Sequence, residues 1–260
     1  MRLPLALILV LLLGSWPAAA AGPDPFPCLA AAYPGAIAGR RADPATGRTL
    51  LELTGGQVLV WDDGLGSKTV AERLEHADVK DMFALAYPAG APRGVPAPDD
   101  DPGRVRVDAL FGDLYGRTEA EVRANLENVS WFGRQVSFNR RHGAAAALRA
   151  VAAELARLPG PLRPQFQSTA GTLNRRKVAG TDRLSAHSWA IAIDLNVAYS
   201  DYWRWSLRPD GSFTYRNRMA AEIVLTFERH GFIWGGKWGH FDTMHFEYRP
   251  ELLQAACLRN

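Results

Sequence analysis

An α+β fold, a small antiparallel sheet with helices packed around it, is what this chain predicts, and three observations point to it. Short β-prone runs and capped amphipathic helices are mixed without the regular βαβ rhythm of a doubly wound sheet. A hairpin signal stands early in the chain, and no internal repeat suggests a solenoid or propeller. The composition, 47% hydrophobic and 22% charged over 260 residues, suits one sizeable domain or two small ones.

The chain begins MRLPLALILVLLLGSWPAAAAG: one basic residue (Arg2), an apolar run from Leu3 to Leu13, and small residues ending near Ala20 or Ala21. This is the layout of a secretory signal over residues 1–21, and it predicts export to the periplasm or the extracellular space. The rival is an uncleaved anchor, although the apolar core before Gly14 falls short of the ~20 residues that span a bilayer. In an exported chain, Cys28 and Cys257 read as a disulfide that ties the two ends together.

Thr49–Leu53 and Gln57–Trp61 flank Gly55–Gly56 as a hairpin. Thr69 with Glu72 is a capping-box pair opening a short helix. Residues 88–103 hold five prolines and three glycines and form a loop. Its run Asp99–Asp101 reads as a solvated acidic surface, because the spacing and the glutamate of a calcium loop are missing. Thr118 and Glu121 cap a further helix. Leu148, Val151, Ala152 and Leu155 form the stripe of an amphipathic helix that Gly160–Pro161 ends. Met219, Ile223 and Phe227 mark a last helix stopping at Gly231. Short strands are expected at 165–170, 190–196 and 243–249.

The formal charge of +3, or +2 without Arg2, identifies no partner, and no basic face with interleaved aromatics points to nucleic acid. A G-x-S-x-G elbow is absent and neither cysteine has a catalytic context, which argues against serine and cysteine hydrolases.

The stretch LSAHSWAIAIDLN, residues 184–196, is where chemistry enters. In an unbroken strand His187 and Asp194 would lie on opposite faces roughly 23 Å apart. In a helix they would share a face about 10 Å apart. Neither arrangement lets both reach one metal ion, so the chain must bend between them if both bind, and Ser188-Trp189-Ala190 is the expected corner. On the strand that follows, Asp194 faces away from Ile191 and Ile193, over alanines. Alternation in TMHFEY puts Met244, Phe246 and Tyr248 on one face, with His245 and Glu247 on the other. Two histidines and a carboxylate form a three-ligand zinc set with a fourth position for water, and a nearby free carboxylate can act as general base.

SAHSWAIAID followed by DTMHFE resembles the zinc D,D-peptidase family over about residues 120–250. These are the VanY-type D-alanyl-D-alanine carboxypeptidases and their L-alanyl-D-glutamate endopeptidase relatives. The resemblance implies a hedgehog/DD-peptidase-like fold, with a catalytic domain at 119–260 behind an N-terminal elaboration at 22–118. It implies that His187, Asp194 and His245 hold Zn2+, that Asp242 is the base and that Ser185 contacts substrate. Aligning the glycines that flank GTLNRRKVAG selects Arg176 over Arg175 as the functional arginine. Ala190 stands where the family has glycine; if that position needs a positive φ, alanine costs on the order of 1 kcal/mol there.

The implied substrates are peptidoglycan stem peptides, and the implied reaction is D-alanyl-D-alanine carboxypeptidase hydrolysis. An L-alanyl-D-glutamate endopeptidase is the alternative, and a non-catalytic zinc-stabilised wall-binding module is the rival from another class. No stable membrane span is expected after cleavage, and the oligomeric state is left open, with a monomer allowed. His240 reads as a third ligand, a substrate contact or merely a loop residue, and Glu247 as a group orienting a ligand or a surface glutamate. Trp234, Trp238 and Trp189 are candidates for a cleft wall or for the core. His76 and His142 are expected to be exposed, and the acceptor pattern at Asn128 idle.

Overall fold

The computed structural model of the protein describes residues 24–178 and 181–257, so the signal expected at 1–21 lies outside the described residues. The chain enters through α1 (Phe26–Ala32). Strands β1 (Ile37–Asp43), β2 (Arg48–Leu53) and β3 (Val58–Asp62) then form an antiparallel three-stranded sheet. The expected hairpin is β2–β3, turning at Gly56 with φ +84°. Strand β1 is largely exposed and carries Arg40 and Arg41, so no apolar alternation announces it.

Helix α2 (Val70–Glu75) opens on the expected capping box. Thr69 Oγ1 accepts from the Glu72 N–H at 3.2 Å, and the Glu72 carboxylate accepts from the Thr69 N–H at 2.7 Å. After the proline-rich loop come α3 (Asp108–Tyr115) and α4 (Glu119–Ala124), the latter capped by Thr118 as expected. Strands β4 (Leu126–Trp131) and β5 (Arg134–Asn139) pair through a turn at Phe132–Gly133, with φ +43° and +85°. A phenylalanine occupies the place where asparagine or aspartate usually advertises such a turn.

Helix α5 (Ala144–Leu155) is the predicted amphipathic helix. The strand expected at 165–170 is corrected by the structure. Helix α6 (Arg163–Phe166) takes its first two residues, because Pro164 in the opening turn is pre-set for helix, and β6 is confined to Thr169–Gly171. Strand β7 (Ala192–Leu195), helix α7 (Ala221–Arg229), strand β8 (Phe232–Trp234) and strand β9 (His245–Tyr248) complete the order. The central sheet runs β6-β7-β9-β8, antiparallel throughout. Helices around small antiparallel sheets agree with the α+β expectation.

Register decides which face becomes chemical. Ile193 pairs with Phe246, and Asp194 with His245. Ile193 and Phe246 turn to the apolar face, where Phe227 of α7 stacks on Phe246 at 4.0 Å between ring centroids. Asp194, His245 and Glu247 take the other face. The apolar side belongs to one contiguous core that runs from Leu29, Tyr33 and Leu51 through Phe111 and Trp189 to Phe227, so the described N-terminal part, residues 24–118, shares it. A Cys28–Cys257 disulfide closes α1 onto the turns that follow β9. Among the described residues no helix is long and apolar enough to cross a membrane.

Two further expectations are corrected. His142 is half-buried, wedged edge-on between the rings of Tyr33 and Tyr115 at 5.5 Å from each, and burial lowers its pKa. Asp101 is 5% exposed because Arg104 and His240 both claim its carboxylate.

The bend demanded between His187 and Asp194 is a 3-10 turn, Ala186–Trp189, followed by Ala190 at φ +53° and ψ +42°. Alanine therefore occupies a left-handed conformation at the foreseen corner. Ala190→Gly should stay within about 1 kcal/mol of wild type, since relief of ~1 kcal/mol of strain is offset by a lost buried methyl worth about 0.8 kcal/mol. Ala190→Val should destabilise by roughly 2 kcal/mol or more, because a β-branched residue there is a genuine outlier in a packed site. Urea unfolding measures both, and a valine variant as stable as wild type would overturn the strain assignment.

Candidate metal centre

The antiparallel β7–β9 register sets Asp194 directly opposite His245, where cross-strand side chains meet. The 3-10 turn carries His187 back over the same face. His187 Nε2 lies 3.1 Å from Asp194 Oδ1 and 3.2 Å from His245 Nδ1, and the latter is 3.0 Å from Asp194 Oδ1. The three expected ligands therefore converge.

Their outer hydrogen bonds orient them. His187 Nδ1–H donates to the Thr172 carbonyl at 2.9 Å, and His245 Nε2–H donates to Glu247 Oε2 at 3.0 Å. Each ring then presents its other nitrogen toward Asp194. Glu247, expected either to orient a ligand or to lie on the surface, is fully buried and holds His245. A tetrahedral ion with ligands at ~2.0–2.2 Å separates them by about 3.3 Å, close to the observed spacing, and two imidazoles with one carboxylate suit zinc.

The charges match this design. Burial works against the Asp194 carboxylate, but hydrogen bonds from His187 and His245 hold its pKa well below the usual range. Burial likewise disfavours a charged His245, yet Asp194 and Glu247 together raise its pKa to about 10. A second acidic group, Asp62, Asp63 and Asp78, already has its cation: the Lys68 ammonium lies 2.5 Å from Asp63 and 3.1 Å from Asp78.

Beside the three ligands opens a cleft lined among others by Arg176, Ser185, Trp238, His240 and Asp242. Close backbone approaches shape it. A Cβ on Gly235 would stand 2.7 Å from the Asp242 carbonyl, and one on Gly239 would stand 2.2 Å from that of Ala97. The proline-rich loop thereby reaches the site, where Gly239 N–H donates to the Asp100 carbonyl and His240 N–H to the Asp101 carboxylate. Asp242 Oδ1 is buried without a hydrogen-bond partner, and burial pushes the carboxyl up to about 6. The Arg176 side chain is exposed and engages no hydrogen bond among the described residues.

Residues 179–248 match the model of a family described as D-alanyl-D-alanine carboxypeptidase.

That span contains Ser185, His187, Asp194, Asp242 and His245, and it supports a peptidase of this kind. No curated protein and no solved structure matches the chain.

Some expected site residues fall elsewhere. Trp234 is fully buried on the apolar face, its Nε1–H donating to the Thr243 carbonyl and its ring stacked on Phe246. Its strand parity, shared with Phe246 rather than His245, keeps it from the cleft. Trp189 also belongs to the core, whereas Trp238 lines the cleft. His240 stays apart from the three converging ligands, with its Nδ1 2.9 Å from Asp101. Reasoning from sequence missed Arg104, Arg106, Tyr202 and Trp203, which also line the cleft. The alternation in RVRV was the available signal, since it sets Arg104 and Arg106 on one side of an extended segment.

Metal uptake at this site must expel the proton held by His245. At neutral pH zinc titrated into the ion-free protein should therefore release about one proton, and affinity should rise up to about tenfold per pH unit. Calorimetry in buffers of different ionisation enthalpy reads this release. Heats independent of the buffer, with affinity flat in pH, would show that His245 of the ion-free protein holds no such proton at neutral pH.

Proposed function

We propose that this protein is an exported zinc metallopeptidase of the VanY type, with the hedgehog/DD-peptidase fold, that hydrolyses D-alanyl-D-alanine ends of peptidoglycan stem peptides. The convergence of His187, Asp194 and His245, inside the stretch matching the carboxypeptidase family, carries this reading. The Cys28–Cys257 disulfide is compatible with an oxidising compartment.

In this reading His187 Nε2, Asp194 Oδ1 and His245 Nδ1 hold the zinc. When bound, zinc supplies Lewis acidity toward a water and the scissile carbonyl. The residues of the chain do the rest. Asp242, lining the same cleft with its unpartnered Oδ1, takes the proton of the attacking water and returns it to the departing amine. Its raised pKa suits a group that must both accept and release a proton near neutrality. Arg176 offers an uncommitted guanidinium to the developing oxyanion. Ser185 on the cleft wall supplies a hydroxyl to the peptide.

Asp242→Asn should keep zinc and fold while losing roughly 10²-fold or more in turnover, the usual scale for proton-transfer catalysis. Arg176→Ala should also keep the metal and lose rate. The assay is D-alanine release from a pentapeptide ending in D-Ala-D-Ala, run beside cleavage of an L-Ala-D-Glu peptide, with zinc measured in each variant. An Asp242→Asn enzyme as active as wild type removes the assigned base, and a wild-type protein inert on both peptides points to a binding module.

A further inference from the structure

The cleft contains more positive charge than the proposed reaction uses. Arg104 and Arg106 both line it, one turn of extended chain ahead of α3 and on the same side. Arg106 is held rigidly: its side chain is 5% exposed, and Nη1 donates to both Glu247 oxygens at 3.2 and 3.0 Å. Its Nε–H is buried without a partner. Arg104 gives Nη1 to Asp101 at 2.7 Å and stands 6.0 Å from the centre of the Trp238 ring, and no hydrogen bond among the described residues engages its Nε or Nη2. Behind them Arg183 donates to the Arg104 carbonyl at 3.2 Å and also has a buried Nε–H without a partner.

The nearby anions are already committed. Asp101 is divided between Arg104 and His240, and Glu247 among Arg106, Arg249 and His245. Burial and the charges of Arg106 and Arg104 push the Arg183 pKa down to about 10, as expected where cations crowd without enough anions. An unpartnered buried donor is costly, and a forked guanidinium matches a carboxylate.

We propose that Arg104 and Arg106 form a subsite for a free carboxylate on the residue that follows the scissile bond, and so determine which peptides the protein accepts. This rests on the peptidase reading above. Both candidate bonds present such a group. A D-Ala-D-Ala end carries it as the chain terminus, and a D-glutamate linked onward through its side chain leaves its α-carboxylate free. The subsite therefore defines the chemistry shared by the two sources.

The test uses two peptide pairs on the zinc-loaded full chain. One is a stem pentapeptide ending in D-Ala-D-Ala and its C-terminal amide. The other is an L-Ala-γ-D-Glu peptide and its D-Glu α-amide. kcat/KM should fall about 10- to 100-fold on amidation, the range for a charged hydrogen bond, and the pair in which it falls identifies the carboxylate. Arg104→Ala should raise KM for the acid and abolish the acid-over-amide preference with zinc content and Tm retained, and Arg104→Lys should restore part of it. Binding of acid and amide to Asp242→Asn is measured alongside. Acid and amide cleaved equally well by the wild type would overturn the subsite and leave the peptidase standing. Tighter binding of the acid without turnover would do the reverse. Should Arg104→Ala fail to fold, the wild-type amide comparison decides alone, and equal affinity for acid and amide overturns the subsite in every case.

Discussion

A carboxylate with no exposure to water sits at the centre of this structure. Glu247 receives the His245 imidazole at 3.0 Å, Arg106 from the N-terminal segment, and Arg249 two residues along its own chain. A buried charge is tolerable only when paired and hydrogen-bonded, so each partner is held there by the cost of leaving. Burial alone would favour the acid form of Glu247, but the charge of Arg106, the hydrogen bond from His245 and the charge of Arg249 hold its pKa well below the usual carboxylate range. The metal face, the cleft and the N-terminal segment are therefore one electrostatic object. The chain of contacts continues from Arg249 to Glu251, and from Glu251 to the Tyr33 hydroxyl at 2.7 Å on the exit of α1.

Local chemistry explains what could be read from the residues alone. Period-two alternation assigned His245 and Glu247 to one face, and the spacing of His187 and Asp194 required a bend that Ala190 supplies. The capping pair at Thr69 and Glu72 and the apolar stripe of α5 are likewise short-range signals. What escaped was long-range or atypical. Arg106 and Glu247 lie 141 positions apart in the chain, and no periodicity links them. The β4–β5 hairpin hid behind a phenylalanine at a positive-φ turn position. His142 and Asp101 look like surface residues in their own neighbourhoods and are buried by partners from distant segments. For Trp234 the residues left cleft wall and core both open, and only the pairing of β8 with β9 assigns it to the core.

The division of labour between the two parts of the chain follows from these contacts. Residues 181–250 supply the converging ligands, the open carboxyl of Asp242 and the aromatic wall at Trp238. Residues 97–108 bring the second half of the cleft: Asp101 fastens His240, and Arg104 and Arg106 add cationic surface. The converging ligands and the two arginines thus come from separate stretches that meet across the glycine contacts of the loop before β9.

The covalent bond between Cys28 and Cys257 has a topological consequence. Its ends are 229 positions apart, so nearly the whole described chain forms a closed ring. A ring cut once is still a single molecule. A protease that nicks an exposed segment, such as the one bearing Trp205 and Leu207, leaves both pieces tethered and their shared core in register. Two cuts, or one cut and a reductant, are needed before any part of the ring can diffuse away.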